Sequence, residues 1–222
     1  MRIQWLGQSA FRLATDDATV VVDPMGDVAA LAARGGLKLE YPPIEGIRAD
    51  LVLVTHEHAD HNGVDRIEGD PIVVRSTAGR FDSPVGEVVA IASEHDDVAG
   101  TKRGPNTIFV FELGGVRVAH FGDFGQRALR DEQAAAIGAL DLLLVPIGGG
   151  PTLDAEQAAQ VVERLRPRWI VPMHYRTHRV DWLEPPDAFL ERMAHVVRLP
   201  TPEFDTAELP GDTPLTIVPA AP

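Results

Sequence analysis

Short apolar runs that end in histidine or aspartate are the feature of this sequence that most constrains its fold. The runs have the length of β-strands, are rich in β-branched residues and are bounded by glycine, proline or polar residues. Five of them lead into a side chain that can bind a metal ion: Asp23, His56, His95, Asp123 and His174. Loops and strand ends held by a rigid sheet often carry function, so we expect these distant segments to converge on one site.

The full set of strand-like runs and the helical patterns between them predict an α/β protein. Strands are predicted at 19–23, 49–56, 71–76, 87–95, 107–113, 116–123, 141–150 and 168–174. Gly114 and Gly115 separate two of these runs, as a two-residue hairpin turn would. Late helices alternate with strands while early strands come in hairpins, which favours mixed layers around a sheet.

Helices are predicted where apolar residues recur with a helical period. In the clearest helix, Asp154 is the expected cap, Gln157 lies three residues later, and Pro167 ends the pattern. Further helices are predicted at 27–36, 129–140 and 186–197. The proline-rich end of the chain predicts irregular structure with one strand at 213–218.

Length and composition limit the classes of protein to consider. The chain has 222 residues, of which 45% are apolar, so we expect one domain spanning 1–222 with a sizeable core. It contains no cysteine, which excludes disulfides and thiolate metal sites. The formal net charge of −13 disfavours nonspecific binding to nucleic acid or anionic lipid.

The expected location is the cytoplasm, with no membrane partner. The first residues lack the apolar core of a signal peptide, and no apolar run is long enough to cross a bilayer. The sequence leaves open whether the chain forms a homo-oligomer.

The segment "THEHADHNG" (55–63) holds three histidines and two acids within six residues, and its candidate metal ligands are His56, His58, Asp60 and His61. Neighbouring residues in an extended or turning chain point in different directions, so one pair can serve one ion and the next pair a second. Neutral imidazoles and carboxylates suit zinc, iron or manganese. A lone His-x-His would usually be a solvated loop, but the longer motif after a buried strand favours a metal site.

This segment is similar to the signature of the metallo-β-lactamase fold superfamily. The opening residues 1–24, "HFGD" and "PMHY" resemble its small bacterial metal-dependent hydrolases, including the group related to ascorbate-6-phosphate lactonase. The resemblance implies a four-layer αββα sandwich of the α/β class, with a two-metal site at one edge. It also implies two divalent cations, with zinc the first expectation and manganese or iron the alternatives.

Carried over to this sequence, the resemblance implies two metal sub-sites. His56, His58 and a third histidine would hold the first ion. Asp60, His61 and His174 would hold the second, and Asp123 would bridge the two. Asp60 would also position the attacking water. These roles are expectations from the resemblance.

The third histidine is either His95 or His120. His95 follows a strand, as the third ligand of the family does, whereas His120 lies three residues before Asp123. On an extended strand that odd offset turns His120 away from Asp123, so His95 is favoured. Asp23 has two open interpretations, since it could orient a ligand histidine or only cap the turn before Pro24.

Residues that contact substrate are predicted less directly. Lys102, Arg103 and Asn106 lie in a loop after the His95 segment and could hold an anionic group, although an ordinary solvated turn is the simpler interpretation. Tyr175, after His174, could donate a hydrogen bond to substrate or could only pack. Gln8 departs from the family, because many relatives have histidine at this position.

Three functions compete at this point. The first is a metal-dependent hydrolase that uses two-metal-activated water on a small-molecule ester, with a lactone or phosphoester as the favoured substrate. The second is a phosphodiesterase or nuclease acting on nucleotides or nucleic-acid ends, and the third is a metal-binding protein without catalysis. Lack of cysteine counts against β-lactam hydrolysis, since β-lactamases of this fold commonly use a cysteine at the second metal.

Overall fold

Two β-sheets form the frame of the molecule. The computed structural model describes residues 1–209 and 214–222, apart from the side chains of residues 30, 31 and 33. The first sheet consists of strands β1 (Arg2–Gly7), β2 (Ala10–Ala14), β3 (Thr19–Val22), β4 (Leu51–Val54), β5 (Ile72–Arg75) and β13 (Glu203–Asp205). Its spatial order is β13-β1-β2-β3-β4-β5.

The second sheet has eight strands. They are β6 (Gly79–Ser83), β7 (Gly86–Glu94), β8 (Pro105–Leu113), β9 (Val116–His120), β10 (Leu142–Pro146), β11 (Trp169–Met173), β12 (Val196–Arg198) and β14 (Leu215–Val218). Their order is β12-β14-β11-β10-β9-β8-β7-β6, with antiparallel hairpins from β6 to β9 and parallel pairing from β9 to β12.

Helical elements are few and short. The α-helices are α1 (Ala29–Arg34), α2 (Asp131–Ile137), α3 (Ala155–Leu165) and α4 (Asp187–Leu190), and Val64–Arg66 and Thr206–Glu208 form 3-10 turns. Apolar residues of α2, α3 and α4 belong to the same buried cluster as the eight-stranded sheet. The predicted α/β class and its layered sandwich are therefore confirmed. Among the described residues, connecting segments pack on the outer face of the six-stranded sheet, and no long helix covers it.

The central strands of the first sheet are buried on both faces. Side chains of Val20 and Val22 belong to the core between the sheets, whereas Val21 belongs to a second cluster outside the sheet. Strand β4 repeats this alternation. A strand covered on both sides favours an uninterrupted apolar run, which is why "TVVV" and "LVLV" were recognisable as strands.

Parallel pairing brings the carboxyl ends of the ligand-bearing strands to one edge. Strand β3 pairs in parallel with β4, and β9, β10 and β11 pair in parallel with one another. Ligands of open α/β sheets bind outside such strand ends. The architecture therefore gathers the residues that follow β3, β4, β9 and β11.

Most predicted elements are present, but one predicted helix is not helical over much of its length. The hairpin at Gly114-Gly115 and the helix capped by Asp154 are confirmed. The helices predicted at 27–36 and 129–140 are shorter than expected, and the strand predicted at 213–218 begins at Leu215, with residue 213 outside the described residues.

The helix predicted at 186–197 ends at Leu190 instead, and Val196–Arg198 forms β12. The reason is tertiary pairing, because Val196 and Val197 are β-branched and their backbone adds a parallel strand to β14. Strands β1 and β2, which the run pattern did not identify, complete the first sheet beside β3.

In the part of the chain that the structure describes, no helix combines the length and apolar character needed to span a membrane.

The cap of α3 supports a stability prediction. The Asp154 carboxylate accepts the Gln157 backbone N–H at 2.8 Å, and the Gln157 side chain accepts the Asp154 N–H at 3.0 Å. Replacing Asp154 with alanine should lower the free energy of unfolding by about 1 kcal/mol. Urea denaturation measures this, with Glu156→Ala in the same turn as the control. Equal effects of the two substitutions would contradict the capping role.

Candidate metal centre

Three histidines from two distant segments form the first group of metal-competent atoms. His56 Nε2 lies 3.0 Å from His58 Nδ1, and the two rings pack against the ring of His95. One nitrogen from each ring lies within 4.8 Å of the others. The structure therefore brings His95 to the His-x-His pair, as the sequence favoured.

Asp123 lies at the middle of the centre. Its Oδ1 is 3.3 Å from His61 Nε2, and its Oδ2 is 3.2 Å from His95 Nε2 and 3.3 Å from His174 Nε2. Ligand atoms of His56, His61 and Asp123 also form a second group within 4.8 Å. One carboxylate thus faces imidazoles of both predicted sub-sites, which is the position that a bridging ligand requires.

The outward nitrogens of three rings are held by oxygen acceptors. His56 Nδ1 pairs with Thr55 Oγ1 at 3.1 Å, His61 Nδ1 with Asp23 Oδ2 at 2.8 Å, and His95 Nδ1 with the Pro151 carbonyl at 3.2 Å. With the proton on Nδ1, each Nε2 presents its lone pair toward the centre, as metal-binding histidines require.

His61 Nε2 is a direct sign that the donor set fits a cation. This nitrogen is buried and makes no hydrogen bond within the described part of the chain, although two carboxylates lie close to it. A buried polar atom without a hydrogen bond is unfavourable unless another partner satisfies it. A divalent metal ion bound by imidazole nitrogens and carboxylate oxygens fits these residues.

Asp23 orients two of the histidines. Its Oδ1 accepts the Thr55 backbone N–H at 2.7 Å, and its Oδ2 accepts both the Thr55 hydroxyl at 2.7 Å and His61 Nδ1–H. Thr55 Oγ1 in turn contacts His56 Nδ1. Of the two interpretations of Asp23 left open by the sequence, this geometry favours orientation of the ligand rings.

His120 has both ring nitrogens engaged elsewhere. Its Nε2 donates to the Ser9 carbonyl at 2.8 Å, and its Nδ1 accepts the Gly122 backbone N–H at 3.1 Å. The ring is fully buried and packs edge-on against Phe11. His120 therefore has no free nitrogen for a metal ion, whereas His95 does.

Burial and neighbouring imidazoles favour the neutral forms of His56 and His58. Burial lowers the pKa of His56, and the imidazole of His61 lowers it further. Burial also lowers the pKa of His58, and His95 adds to this effect. Neutral imidazoles have the lone pair that a metal ion needs, so the electrostatics suit coordination.

The surroundings of His61 and Asp123, in contrast, favour the charged forms of these two side chains. Burial acts to lower the pKa of His61, but Asp123, Asp60 and Asp23 raise it well above its ordinary value. Burial acts to raise the pKa of Asp123, and the imidazoles of His174 and His61 outweigh this and hold it well below its ordinary value. Anionic oxygens around a buried imidazole make this half of the centre attractive to cations.

One side of the centre faces solvent. His58 is exposed and the Asp60 side chain is 24% exposed, whereas His56, His61, His95, Asp123 and His174 are buried. Asp60 Oδ2 lies 3.6 Å from His61 Nε2, at the open side of the centre. A substrate would reach the centre from the side of His58 and Asp60.

The glycine-rich segment after β10 lets the backbone pass close to the centre. A Cβ atom on Gly148 would lie 2.1 Å from the His174 carbonyl oxygen, far closer than contact distance allows. Only glycine fits between β10 and the His174 segment at this point. Because Gly148 has no side chain, the His174 backbone can lie directly against it, and this contact helps to place His174 at the centre.

The predicted substrate residues do not form one surface. Lys102 and Arg103 are exposed, and their backbone N–H groups donate to Asp96 Oδ2 at 2.9 and 2.8 Å. Tyr175 is buried against Trp5 with ring centroids 5.4 Å apart. Their contact with substrate stays a prediction, with packing the observed role of Tyr175.

Asn106 has a supporting role that the sequence did not reveal. Its Oδ1 accepts the Asp123 backbone N–H at 3.0 Å, and its Nδ2 donates to Ser93 Oγ and the Phe121 carbonyl. The carboxamide is buried, and its nitrogen and oxygen are both hydrogen-bonded within the protein, so support of Asp123 is its observed role. Its contact with substrate stays a prediction. The hairpin predicted at Gly114-Gly115 carried the signal that could have found this contact with Asp123, because its register, with Leu113 opposite Val116 and Phe109 opposite His120, continues to Asn106 opposite Asp123.

Gln8 lies beside the centre with its side chain unsatisfied. Its backbone carbonyl accepts Trp5 Nε1–H at 2.9 Å and the His174 N–H at 3.3 Å. The side chain is fully buried, yet neither amide atom has a hydrogen-bond partner within the described residues. The next residue, Ser9, donates its hydroxyl to Asp123 Oδ1 at 3.1 Å.

Comparison with known proteins adds the evolutionary context. Residues 2–174 match the sequence model of a family described as "Beta-lactamase superfamily domain". A UPF0173 metal-dependent hydrolase of Thermococcus kodakarensis is 32% identical over 208 residues, covering 80% of this chain and 85% of the relative. One from Thermus thermophilus is 31% identical over 202 residues, covering 80% and 84%.

The fold is shared with a solved structure. A crystal structure of a Thermotoga maritima protein of the metallo-beta-lactamase superfamily superposes on this chain with a TM-score of 0.79. It is 28% identical, and the match covers 98% of each chain. The similarity thus extends over both sheets and the centre between their strand ends.

Metal affinity should depend on Asp23. In Asp23→Asn, either orientation of the amide turns its NH2 group toward a donor on Thr55 or His61, so the ligand rings lose their alignment. We expect zinc affinity to fall about 10- to 100-fold, measured by competition with a chromogenic chelator. Asp17→Asn, in an exposed turn, is the control. If both variants bound zinc as tightly as the parent protein, Asp23 would have no orienting role.

Two buried glutamines should respond oppositely to methionine. Gln133 forms hydrogen bonds through both amide atoms, to Gln126, Ala92 and Arg130, whereas Gln8 forms none through its side chain within the described residues. Gln133→Met should lower the free energy of unfolding by about 1–3 kcal/mol. Gln8→Met should raise it by about 1 kcal/mol or more, because an unpaired amide leaves the interior.

Chemical denaturation of chelator-treated protein measures both changes. Because neither glutamine nor methionine is β-branched, the left-handed backbone of Gln8, with φ of 48°, affects the two residues alike. Destabilisation of equal size in both variants would show that the Gln8 amide is satisfied in solution.

Proposed function

We propose that this chain, which belongs to the beta-lactamase superfamily, is a metal-dependent hydrolase that uses two divalent ions to attack a small-molecule ester of the cytoplasm with water. The supporting observation is that His61, His95 and His174 all direct Nε2 at the single carboxylate of Asp123. The favoured metal is zinc, with manganese or iron as alternatives, and the favoured substrates are lactones and phosphoesters.

The proposed ligand assignment follows the family resemblance, and the group His56, His58 and His95 supports its first half. These three histidines would hold one ion, and Asp60, His61 and His174 would hold the other, with Asp123 between them. When bound, such a pair of ions lowers the pKa of water and stabilises negative charge that develops on a carbonyl or phosphoryl oxygen.

The protein residues have distinct tasks in this proposal. Asp60, at the open side of the centre, orients the attacking water and takes its proton on a carboxylate oxygen, from which the leaving group can recover it. Asp23 and Thr55 hold the ring orientation of His61 and His56 throughout, so little reorganisation accompanies the reaction. The buried side of the centre keeps bulk water away from His61, Asp123 and His174.

Charge supports a small-molecule substrate over a nucleic acid. The formal net charge is −13, and a polyanionic strand would be repelled by such a surface. Hydrolysis of nucleotides or nucleic-acid ends and metal binding without turnover are the competing functions, and substrate assays separate them.

Metal analysis of histidine variants tests the assignment. Protein purified without chelator should contain about two metal equivalents per chain. His58→Ala and His95→Ala should each lose roughly one equivalent, because a sub-site retains too few ligands. His120→Ala should keep both, since its ring nitrogens bond to the Ser9 carbonyl and the Gly122 N–H. Loss of metal in His120→Ala with retention in His95→Ala would overturn the assignment.

The same variants should be assayed on lactones, phosphomonoesters, phosphodiesters and thioesters. We expect kcat/KM on lactones or phosphomonoesters to fall about 100-fold or more in His95→Ala. Turnover confined to nucleic acid, with strong dependence on salt, would favour the nuclease alternative. Two bound metals with no turnover of any ester would favour the non-catalytic one.

A further inference from the structure

A pocket lies against the metal-binding segment on the side of the β3–β4 connection. Its volume is about 210 Å³. Its walls are largely apolar, and the residues that matter for its chemistry are Val28, Leu39, Tyr41, Pro42, Ile44 and Arg66. Ligand pockets for drug-sized molecules usually measure about 300–1,000 Å³, so this one suits a smaller molecule, on the scale of a single substituted ring.

Backbone contacts join the pocket wall to the motif that carries the metal ligands. Gly26, in the wall, donates its N–H to the Ala59 carbonyl at 2.9 Å. Ala59 lies between His58 and Asp60 in the chain. Gly63 donates to the Pro24 carbonyl at 2.8 Å, so the segment after Asp23 is tied to both ends of the motif loop.

Arg66 is the cation of this pocket. Its backbone N–H bonds to the Gly63 carbonyl, which places the residue at the end of the 3-10 turn Val64–Arg66. The side chain is half-buried and lines the cavity, and it makes no hydrogen bond or ion pair with any described residue. A partly desolvated guanidinium with free donors is suited to bind a carboxylate or phosphate.

Arg66 is unpaired among the described residues although the chain is acidic. Acidic residues outnumber lysine and arginine by 33 to 20, and several arginines pair with them. Arg75 pairs with Glu57, and Arg130 with Glu94. Arg66 faces the pocket instead of such a partner, although Asp65 is its neighbour in the chain. Asp27, the other charged residue of the lining, is exposed, so water screens its charge.

We propose that this pocket binds a small anion with an apolar body, whose acidic group pairs with Arg66 and whose body packs against Val28, Leu39 and Ile44. Resting on the proposed function, the bound molecule is the non-reacting part of the substrate, so the enzyme acts on esters that also carry a carboxylate or phosphate. Binding energy at such a remote group can orient the ester at the metal centre.

The first test measures binding without requiring turnover. Calorimetric titrations use benzoate, phenyl phosphate and the neutral isostere benzamide, on protein as purified and after chelator treatment. The two anions should bind in both states, and benzamide should bind at least about 10-fold more weakly. The stronger of the two anions identifies the acidic group that the pocket prefers.

Matched variants assign the binding to the pocket. Arg66→Gln should weaken anion binding about 10-fold or more, because the charged donor is lost. Val28→Trp should also weaken it by filling the cavity, and it leaves the guanidinium in place. Arg34→Gln removes the same charge from an exposed position in α1 outside the lining and should leave binding unchanged.

Two outcomes would contradict the proposal that this pocket binds an anion through Arg66. Anion binding that disappears after chelator treatment and is equal in Arg66→Gln and Arg34→Gln would place the ligand on the metal centre. Equal binding of benzoate and benzamide would remove Arg66 from recognition.

The second test links the pocket to the reaction. On metal-loaded protein, Arg66→Gln should raise KM for 4-acetoxybenzoate relative to its neutral methyl ester about 10-fold, and Arg34→Gln should leave this ratio unchanged. Arg66-dependent binding without hydrolysis of any ester would uphold the anion pocket and reject the proposed function. Hydrolysis with a KM ratio unaffected by Arg66→Gln would support the function and reject this pocket as its substrate site.

Discussion

The buried carboxylate of Asp23 is the interaction on which the arrangement of the centre depends. It accepts three hydrogen bonds, from the Thr55 backbone, the Thr55 hydroxyl and His61, and thereby joins the ends of two neighbouring parallel strands. A buried carboxylate without such partners would be strongly unfavourable. Because the same bonds fix the rings of His61 and, through Thr55, His56, the orientation of the ligands is linked to pairing of the sheet.

Backbone geometry at the strand ends shows how the sheets direct these side chains inward. Gln8, Asp23 and His174 each have a positive φ, near 50°, which non-glycine residues adopt rarely. In each case the chain leaves a strand and turns sharply beside the centre, and the Gln8 carbonyl accepts the His174 N–H. Such strained conformations persist when surrounding contacts over-determine them, and they often occur at functional sites.

The sequence could predict those parts of the site that depend on local pattern. His56, His58, Asp60 and His61 lie within one segment after an apolar strand, so their grouping was visible without knowledge of the fold. His95 was preferred to His120 because of the offset of His120 from Asp123 along an extended strand, and the hydrogen bonds of His120 agree with that preference. The roles of Asp123 and His174 came from family resemblance, since their spacing alone says nothing about distance.

Side-chain contacts that depend on strand pairing were harder to predict. Asn106 was assigned to a loop near two cations, but it lies in β8, and the register of the β8–β9 hairpin buries it behind Asp123. Val196 and Val197 continued a helical pattern, but pairing with β14 outweighs local propensity. Nothing in the sequence indicated that Arg66 binds an anion, because an arginine becomes a candidate only when the fold leaves it unpaired beside a cavity. The features of the site and fold that local pattern did not predict therefore arise from tertiary contacts, whereas the motif that indicates the family is a local pattern.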